Sequence, residues 1–176
     1  MKKLILIVSV YSLLSLKAVA APAADGALKD SQIINVLVNL NNSEINAGRL
    51  AKSKAGDKSV KGFAEEMIEG HSQSNIDIKK LSKDLSLKAE SDSISDKMKK
   101  DSEDKLAELK SEKAPAFDST YMDAQVSGHQ DALKTLDEKL IPNAKSPQLI
   151  SMLNKTKGVV QNHLDMATKI QSSLKK

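Results

Sequence analysis

The sequence predicts an all-α protein built as a four-helix bundle, and three observations favour this fold. Apolar residues recur three and four positions apart from residue 30 onwards, and strict alternation of apolar and polar residues is absent. Only seven glycines and four prolines interrupt the 176 residues, which is little for a protein of many strands. The apolar positions fall into four amphipathic segments of helical length, which is the number that closes a bundle around one core.

The composition excludes several classes of protein and site. The chain has no cysteine, which excludes disulfides, thiol catalysis, cysteine-ligated metal centres and a lipoprotein anchor. It has two phenylalanines, two tyrosines and no tryptophan, too few aromatic side chains for stacking on single-stranded nucleic acid. We therefore expect neither thiol chemistry nor a nucleic-acid partner.

The first 20 residues have the pattern of a cleaved secretory signal peptide. Lys2 and Lys3 precede an apolar run over residues 4–16, and residues 18–20 form a cleavage pattern of small side chains. An uncleaved anchor is the alternative, but the run is short for a span that needs about 20 residues. Removing the segment lowers the formal net charge from +4 to +1, because it contains three lysines and no acidic residue. The sequence therefore predicts a periplasmic or secreted protein with no transmembrane segment after cleavage.

A polar leader over residues 21–29 precedes the bundle domain, for which we predict residues 30–176. The first helix is expected to end at Gly56, and Asp57 or Ser59 can cap the second helix. The predicted apolar faces comprise Ile33, Leu37, Leu40, Ala47 and Ala51 in the first helix, and Val60, Phe63, Ala64, Met67, Ile78, Leu81 and Leu85 in the second.

Residues 88–113 are mostly charged and carry only a thin apolar stripe. We predict a solvent-facing helix that carries the chain along the outside of the bundle, with a disordered charged linker as the alternative. At about 1.5 Å per residue, such a helix is long enough to traverse the bundle, so the second and third core helices would be parallel. One long crossover between two antiparallel pairs is the ferritin-like topology, and an up-down bundle with a flexible third connection is the alternative.

The third and last core helices are marked by prolines. Pro115 ends the charged segment, Asp118 or Ser119 is expected to start the third helix, and residues 141–143, with Pro142 at their centre, are expected to end it. Ser146 followed by proline predicts the start of the last helix, because a capping hydroxyl then precedes proline at the first helical position. The predicted apolar faces comprise Met122, Val126, Leu133, Leu136 and Leu140 in the third helix, and Leu149, Leu153, Val160, Ala167, Ile170 and Leu174 in the last.

One polar residue interrupts each of the four apolar faces. These residues are Glu44, His71, His129 and His163, one from each core helix. They include all three histidines of the chain, and three random positions would all fall on a core seam only about one time in forty. Burial of such groups is favourable only when each has a partner, and one shared cation would satisfy all four.

We predict that these four residues bind one transition-metal ion. Three neutral imidazoles and a carboxylate suit zinc, copper, iron or manganese. A hydrogen-bonded network without metal, or unrelated histidines that are each satisfied separately, are the alternatives. Gly70 and Gly128 directly precede two of the histidines, and glycine inside a helix costs about 1 kcal/mol relative to alanine. Their presence indicates either room for a ligand or a close helix crossing.

The segments that carry these residues resemble a known family, the domain-of-unknown-function 4142 family. The similar segments are residues 43–51 and 60–71, Phe117 to Tyr121 ahead of His129, and His163 with Leu164 in the last helix. The resemblance extends over nearly the whole chain after the signal peptide. It implies an exported ferritin-like bundle, of a kind labelled as predicted outer membrane proteins, and it implies no established activity. Gly70 stands where members commonly have aspartate.

The predicted site differs from that of ferritin-like di-iron proteins, which carry Glu-x-x-His on two helices. Ile68 and Val160 occupy those glutamate positions here, so we expect a mononuclear site for metal binding, storage or envelope stress protection. A metal-free helical module that docks on the cell envelope through its lysine-rich faces is the alternative. A metal-dependent enzyme is a third alternative, which would need an open coordination position and a substrate cleft.

Overall fold

The structure, a computed structural model, describes residues 27–114 and 116–175, and every regular element in these ranges is a helix. The prediction of an all-α protein is confirmed for these residues, whereas the predicted signal peptide over residues 1–20 lies outside them. None of the described helices is long and apolar enough to span a membrane. The elements are α1 (Asp30–Lys54), α2 (Lys58–Asp84), α3 (Ser93–Ser111), α4 (Ala116–Thr135), a π-helical turn (Leu136–Leu140), α5 (Ile141–Asn143) and α6 (Pro147–Leu174).

Helices α1 and α2 form an antiparallel pair joined by a three-residue connection. Asp57 caps α2, because its carboxylate accepts hydrogen bonds from the backbone N–H groups of Ser59 and Val60 at 2.7 and 3.3 Å. Gly48 allows the two helices to approach closely, since a Cβ atom at this position would lie 2.9 Å from the carbonyl oxygen of Ala64. A side chain at residue 48 would therefore force the pair apart.

Helix α3 lies along α1 and runs parallel to it. The side chain of Asn35 near the start of α1 donates to Ser95 Oγ at 3.0 Å, and Lys54 at the end of α1 donates to the carbonyl of Lys110 at 2.7 Å. Only two residues of α3, Ser95 and Leu109, are buried. The charged segment is thus a surface helix that returns the chain along the length of α1.

Helix α4 begins at Ala116, earlier than the predicted start at Asp118 or Ser119. The carboxylate of Asp118 has a long-range role, because it accepts backbone N–H bonds from Gly56 at 3.1 Å and from Asp57 at 2.8 Å. Asp118 therefore fixes the first turn of α4 against the connection between α1 and α2.

Pro142 lies at the end of its helix, which changes its helical type before it ends. A π-helical turn over Leu136–Leu140 precedes it, in which the N–H of Ile141 bonds to the carbonyl of Leu136. Proline lacks an N–H, and its ring collides with the carbonyl four residues earlier, so a wider turn accommodates it without breaking the helix. The helix then ends at Asn143, and Ser146 caps α6 by accepting from the N–H of Leu149, as predicted.

The apolar core is divided into two clusters by a layer of buried polar residues. One cluster contains Ile33, Leu136 and Leu149, and the other contains Ala51, Phe63 and Phe117. Each of α1, α2, α4 and α6 contributes residues to both clusters. On each of these helices, buried polar residues lie between the residues that belong to one cluster and those that belong to the other. They are Asn41, His71, Gln125, His129 and His163.

We expect the backbone amides of α3 to exchange with solvent faster than those of α2. Since α3 buries so few side chains, it can open without disrupting either apolar cluster. Hydrogen exchange followed by mass spectrometry should give α3 protection factors lower by on the order of tenfold. Equal protection of α2 and α3 would show that α3 unfolds only with the whole domain.

Candidate metal centre

The three histidines of the chain meet between helices α2, α4 and α6. His71 lies on α2, His129 on α4 and His163 on α6, and their exposed fractions are 8%, 3% and 5%. One ring nitrogen from each lies within 4.8 Å of one ring nitrogen from each of the others. Three residues that are far apart in the sequence therefore form one compact group of nitrogen donors.

The tautomer of His71 follows from its hydrogen bond to Asn41. The Nδ1 atom of His71 lies 2.8 Å from Asn41 Oδ1, and the Asn41 amide nitrogen donates to Ser74 Oγ and Asn75 Oδ1, both at 2.9 Å. Because the Asn41 oxygen can only accept, His71 Nδ1 carries the proton and Nε2 keeps its lone pair. The Nε2 atom is buried and has no hydrogen-bond partner among the described residues.

His129 has the same tautomer for a different reason. Its Nδ1 lies 2.9 Å from the backbone carbonyl oxygen of Gln125, one turn earlier on α4, so Nδ1 must donate. The lone pair of His129 is therefore on Nε2. His163 has a buried Nδ1 without a hydrogen-bond partner in the described part of the chain, so this imidazole is not held in one tautomer.

Burial keeps two of the imidazoles neutral. Loss of solvation is the main cause that lowers the pKa of His71 to about 3, and the nearby His163 and His129 contribute to this value because like charges would repel. Loss of solvation, followed by the effect of His129, lowers the pKa of His163 to about 4. Both side chains are thus uncharged at neutral pH, which is the state in which imidazole binds a metal ion.

Two ring nitrogens in this group, one on His71 and one on His163, are buried and have no hydrogen-bond partner within residues 27–114 and 116–175. An unsatisfied buried polar atom costs about 1–3 kcal/mol of folding free energy. A shared cation would accept electron pairs from such nitrogens at once, whereas hydrogen bonding would need a separate donor for each. The donor set therefore fits a metal ion.

Glu44 lies close to this group but is not part of it. It is half-buried on α1, and one carboxylate oxygen accepts a hydrogen bond from Gln125 Nε2 at 2.9 Å. A cavity of about 40 Å³ is lined by Glu44, His71 and His129, a volume sufficient for water. Glu44 as a metal ligand stays a prediction.

The sequence pattern did not identify Asn41, Gln125 and Tyr121 as part of this site. Asn41 orients His71, Gln125 orients His129 and contacts Glu44, and Tyr121 is fully buried with no partner for its hydroxyl among the described residues. Burial raises the pKa of Tyr121 above its usual range, and the charge of Glu44 adds to the effect, so the hydroxyl keeps its proton. Asn41 could have been assigned to the buried face of α1 because it lies four residues, about one helical turn, after Leu37.

The two glycines beside the histidines have different surroundings. A Cβ atom at Gly128 would meet no other atom within 4 Å, so this glycine leaves open space. A Cβ atom at Gly70 would lie 3.8 Å from the ring of His163, an ordinary contact distance. Of the two interpretations, room for a ligand therefore applies at Gly128.

Comparison with known proteins gives a family and no characterised relative. The model of a family described as a domain of unknown function, DUF4142, matches residues 15–170. No curated protein and no solved structure matches the chain.

Proposed function

The chain belongs to the DUF4142 family, as its motifs indicated, and we propose that it is an exported ferritin-like bundle that binds one transition-metal ion through His71, His129 and His163. The observation that carries this proposal is the convergence of three buried ring nitrogens within 4.8 Å of one another. The role that we propose for this ion is metal binding, storage or envelope stress protection.

The geometry supports a single ion. Around a tetrahedral ion with bonds of about 2.0–2.1 Å, ligand atoms lie roughly 3.4 Å apart, so small side-chain rotations would bring the three nitrogens to bonding distance. Two of the rings already have the tautomer that presents Nε2, because Nδ1 of each donates to an oxygen. Hydrogen bonds of this kind orient histidine ligands and make them more basic.

The donor set favours some metals over others. Three imidazoles suit zinc, copper and iron, whereas manganese prefers oxygen ligands. Copper(II) binds nitrogen sites more tightly than the other divalent first-row metals. Zinc and copper are therefore the ions that we expect to bind most readily, and a fourth coordination position would be open to water.

The experiment is a measurement of bound metal. Untagged protein, purified without chelator and loaded separately with zinc and copper, should contain close to one ion per chain by native mass spectrometry. His129→Ala should remove binding, since His129 lines the cavity and its Nδ1 is already bonded to Gln125. Wild-type protein without bound zinc, copper, iron or manganese would contradict the proposal.

A further inference from the structure

We propose that divalent cations reach the three histidines through a groove between α1, α3 and α4, and that Glu44 passes the cation from this groove to the site. This inference rests on the proposed metal site. It assigns Glu44 a role in transfer, which is distinct from permanent ligation.

The groove has the charge that attracts a cation. It has a volume of about 260 Å³, and its charged lining residues are Glu44 on α1, Asp101 and Lys105 on α3, and Asp131 on α4. Three of these residues are acidic, and two lysines offset part of their charge, Lys105 in the lining and Lys97 through its ion pair with Asp101, so the groove keeps a small excess of negative charge. A cleft lined by one sign of charge raises the local concentration of the opposite ion and the rate at which that ion binds.

The groove borders the cavity beside the histidines. Leu40, Glu44 and Gly128 line both spaces, and the cavity is lined in addition by His71 and His129. Glu44 therefore lies at the boundary, with the groove on one side and two of the three imidazoles on the other.

A buried oxygen beside Glu44 is free to contact a cation. Gln125 is 4% exposed and lines the groove, and its amide nitrogen is used in the bond to Glu44. Its Oε1 atom is buried with no hydrogen-bond partner in the described ranges. Amide and carboxylate oxygens bind zinc and copper less strongly than imidazole nitrogen does, so this pair can hold a cation briefly and release it to the histidines.

Gly128 keeps the passage open. It is half-buried, it lines both the groove and the cavity, and a Cβ atom at this position would meet nothing within 4 Å. A Cβ atom fits here without a clash, and the rest of a larger side chain would extend into the space between the groove and the cavity. The position therefore offers a way to close the route while leaving the histidines unchanged.

The opposite face of the site is less suited to a cation. A pocket of about 310 Å³ between α2 and α6 reaches His71 and His163, but its charged residues, Asp77 and Lys155, have opposite signs. Its other side chains include the apolar Met152, Val159 and Val160. Net charge therefore distinguishes the two approaches and favours the groove between α1, α3 and α4.

The first test closes the passage. Binding of Cu²⁺ can be followed by stopped-flow quenching of tyrosine fluorescence, since the chain has no tryptophan and Tyr121 lies near Glu44. Gly128→Leu should slow Cu²⁺ association and dissociation by the same factor, about tenfold, and leave Kd unchanged. Gly62→Leu is the matched control, because Gly62 is also a helical glycine with nothing within 4 Å of its Cβ position.

The second test removes charge on each side of the site. Glu44→Gln and Asp131→Asn should slow association at low ionic strength, and the difference from wild type should shrink as salt screens the groove. Asp77→Asn, in the pocket on the opposite face, is the control and should leave the rate unchanged. A rate that responds to Asp77→Asn and not to Asp131→Asn would overturn the route.

The outcomes separate the route from the site itself. If wild-type protein binds Cu²⁺ and Gly128→Leu matches Gly62→Leu in rate, the site stands and the route is wrong. If Glu44→Gln weakens Kd without slowing association, Glu44 is a permanent ligand and its transfer role is wrong. If wild-type protein does not bind Cu²⁺, the proposed function fails, and the route fails with it.

Discussion

Saturating zinc is expected to raise the melting temperature of the wild-type protein by about 5–10 °C. An ion at 100 times its Kd that binds only the native state adds about 2.7 kcal/mol to the free energy of unfolding. For a domain of this size, each kcal/mol corresponds to roughly 2–4 °C. His71→Ala, His129→Ala and His163→Ala should each remove most of the shift, because each deletes one of the three convergent nitrogens. Differential scanning calorimetry of each protein with and without zinc measures the shift in melting temperature.

The control for this prediction is Lys99→Ala, an exposed position on α3 that should keep the full shift. A hydrogen-bonded network without metal predicts a different pattern. In that case the histidine variants would be less stable than wild type in metal-free buffer, and added zinc would change none of the melting temperatures.

The helical fold could be predicted because apolar spacing reports directly on which side of a helix is buried. His71, His129 and His163 were assigned to the core for the same reason, and all three are buried together. A polar side chain that lies on the apolar face of a helix is directed towards the core together with its apolar neighbours. The spacing therefore identified the group of histidines before any distance was known.

The buried face of α1 was predicted correctly at Ile33, Leu37 and Ala51, and it was displaced in the middle of the helix. Its interior follows Leu37, Asn41, Ile45 and Gly48, whereas the sequence favoured the neighbouring stripe that contains Glu44. Asparagine and glycine are typical of surfaces and turns, and a single sequence gives no reason to bury them. Here Asn41 is buried because it bonds to His71, and Gly48 because α2 approaches closely. Both reasons depend on residues of another helix.

Two local features, at Asp118 and around Pro142, were not fully predicted from the neighbouring sequence. Asp118 had the character of a helix cap, but its carboxylate binds the backbone of the connection between α1 and α2. The helix end around Pro142 was predicted correctly, since the helix ends at Asn143, but the π-helical turn over Leu136–Leu140 that precedes Pro142 was not predicted. Local sequence preferences indicate the structural role that a residue most often has, whereas its tertiary contacts determine the role that it has in this fold.

The metal-free protein is expected to lose stability steeply as the pH falls from about 6.5 towards 4. Above pH 6.5, His71 and His163 are neutral in both the native and the unfolded chain, so they contribute no pH dependence. Below it, the unfolded chain takes up protons on both, while the native state does not until the pH nears their lowered pKa values of about 3 and about 4. Each such group lowers the free energy of unfolding by up to about 1.4 kcal/mol per pH unit. Urea unfolding at a series of pH values measures this slope.

The source of this slope can be isolated because the chain has only three histidines, all of them in the buried layer. Carboxyl groups of aspartate and glutamate in an unfolded chain take up protons near pH 4, so their effect on the free energy of unfolding comes mainly at lower pH. His71→Gln should therefore reduce the slope between pH 6.5 and 5 by up to about 1.4 kcal/mol per pH unit, since glutamine does not titrate. Lys99→Ala should leave the slope unchanged. A free energy of unfolding that stays constant from pH 7 to pH 5 in wild-type protein would mean that the imidazoles can be protonated in the folded bundle, and that the layer between the two apolar clusters admits charge and water.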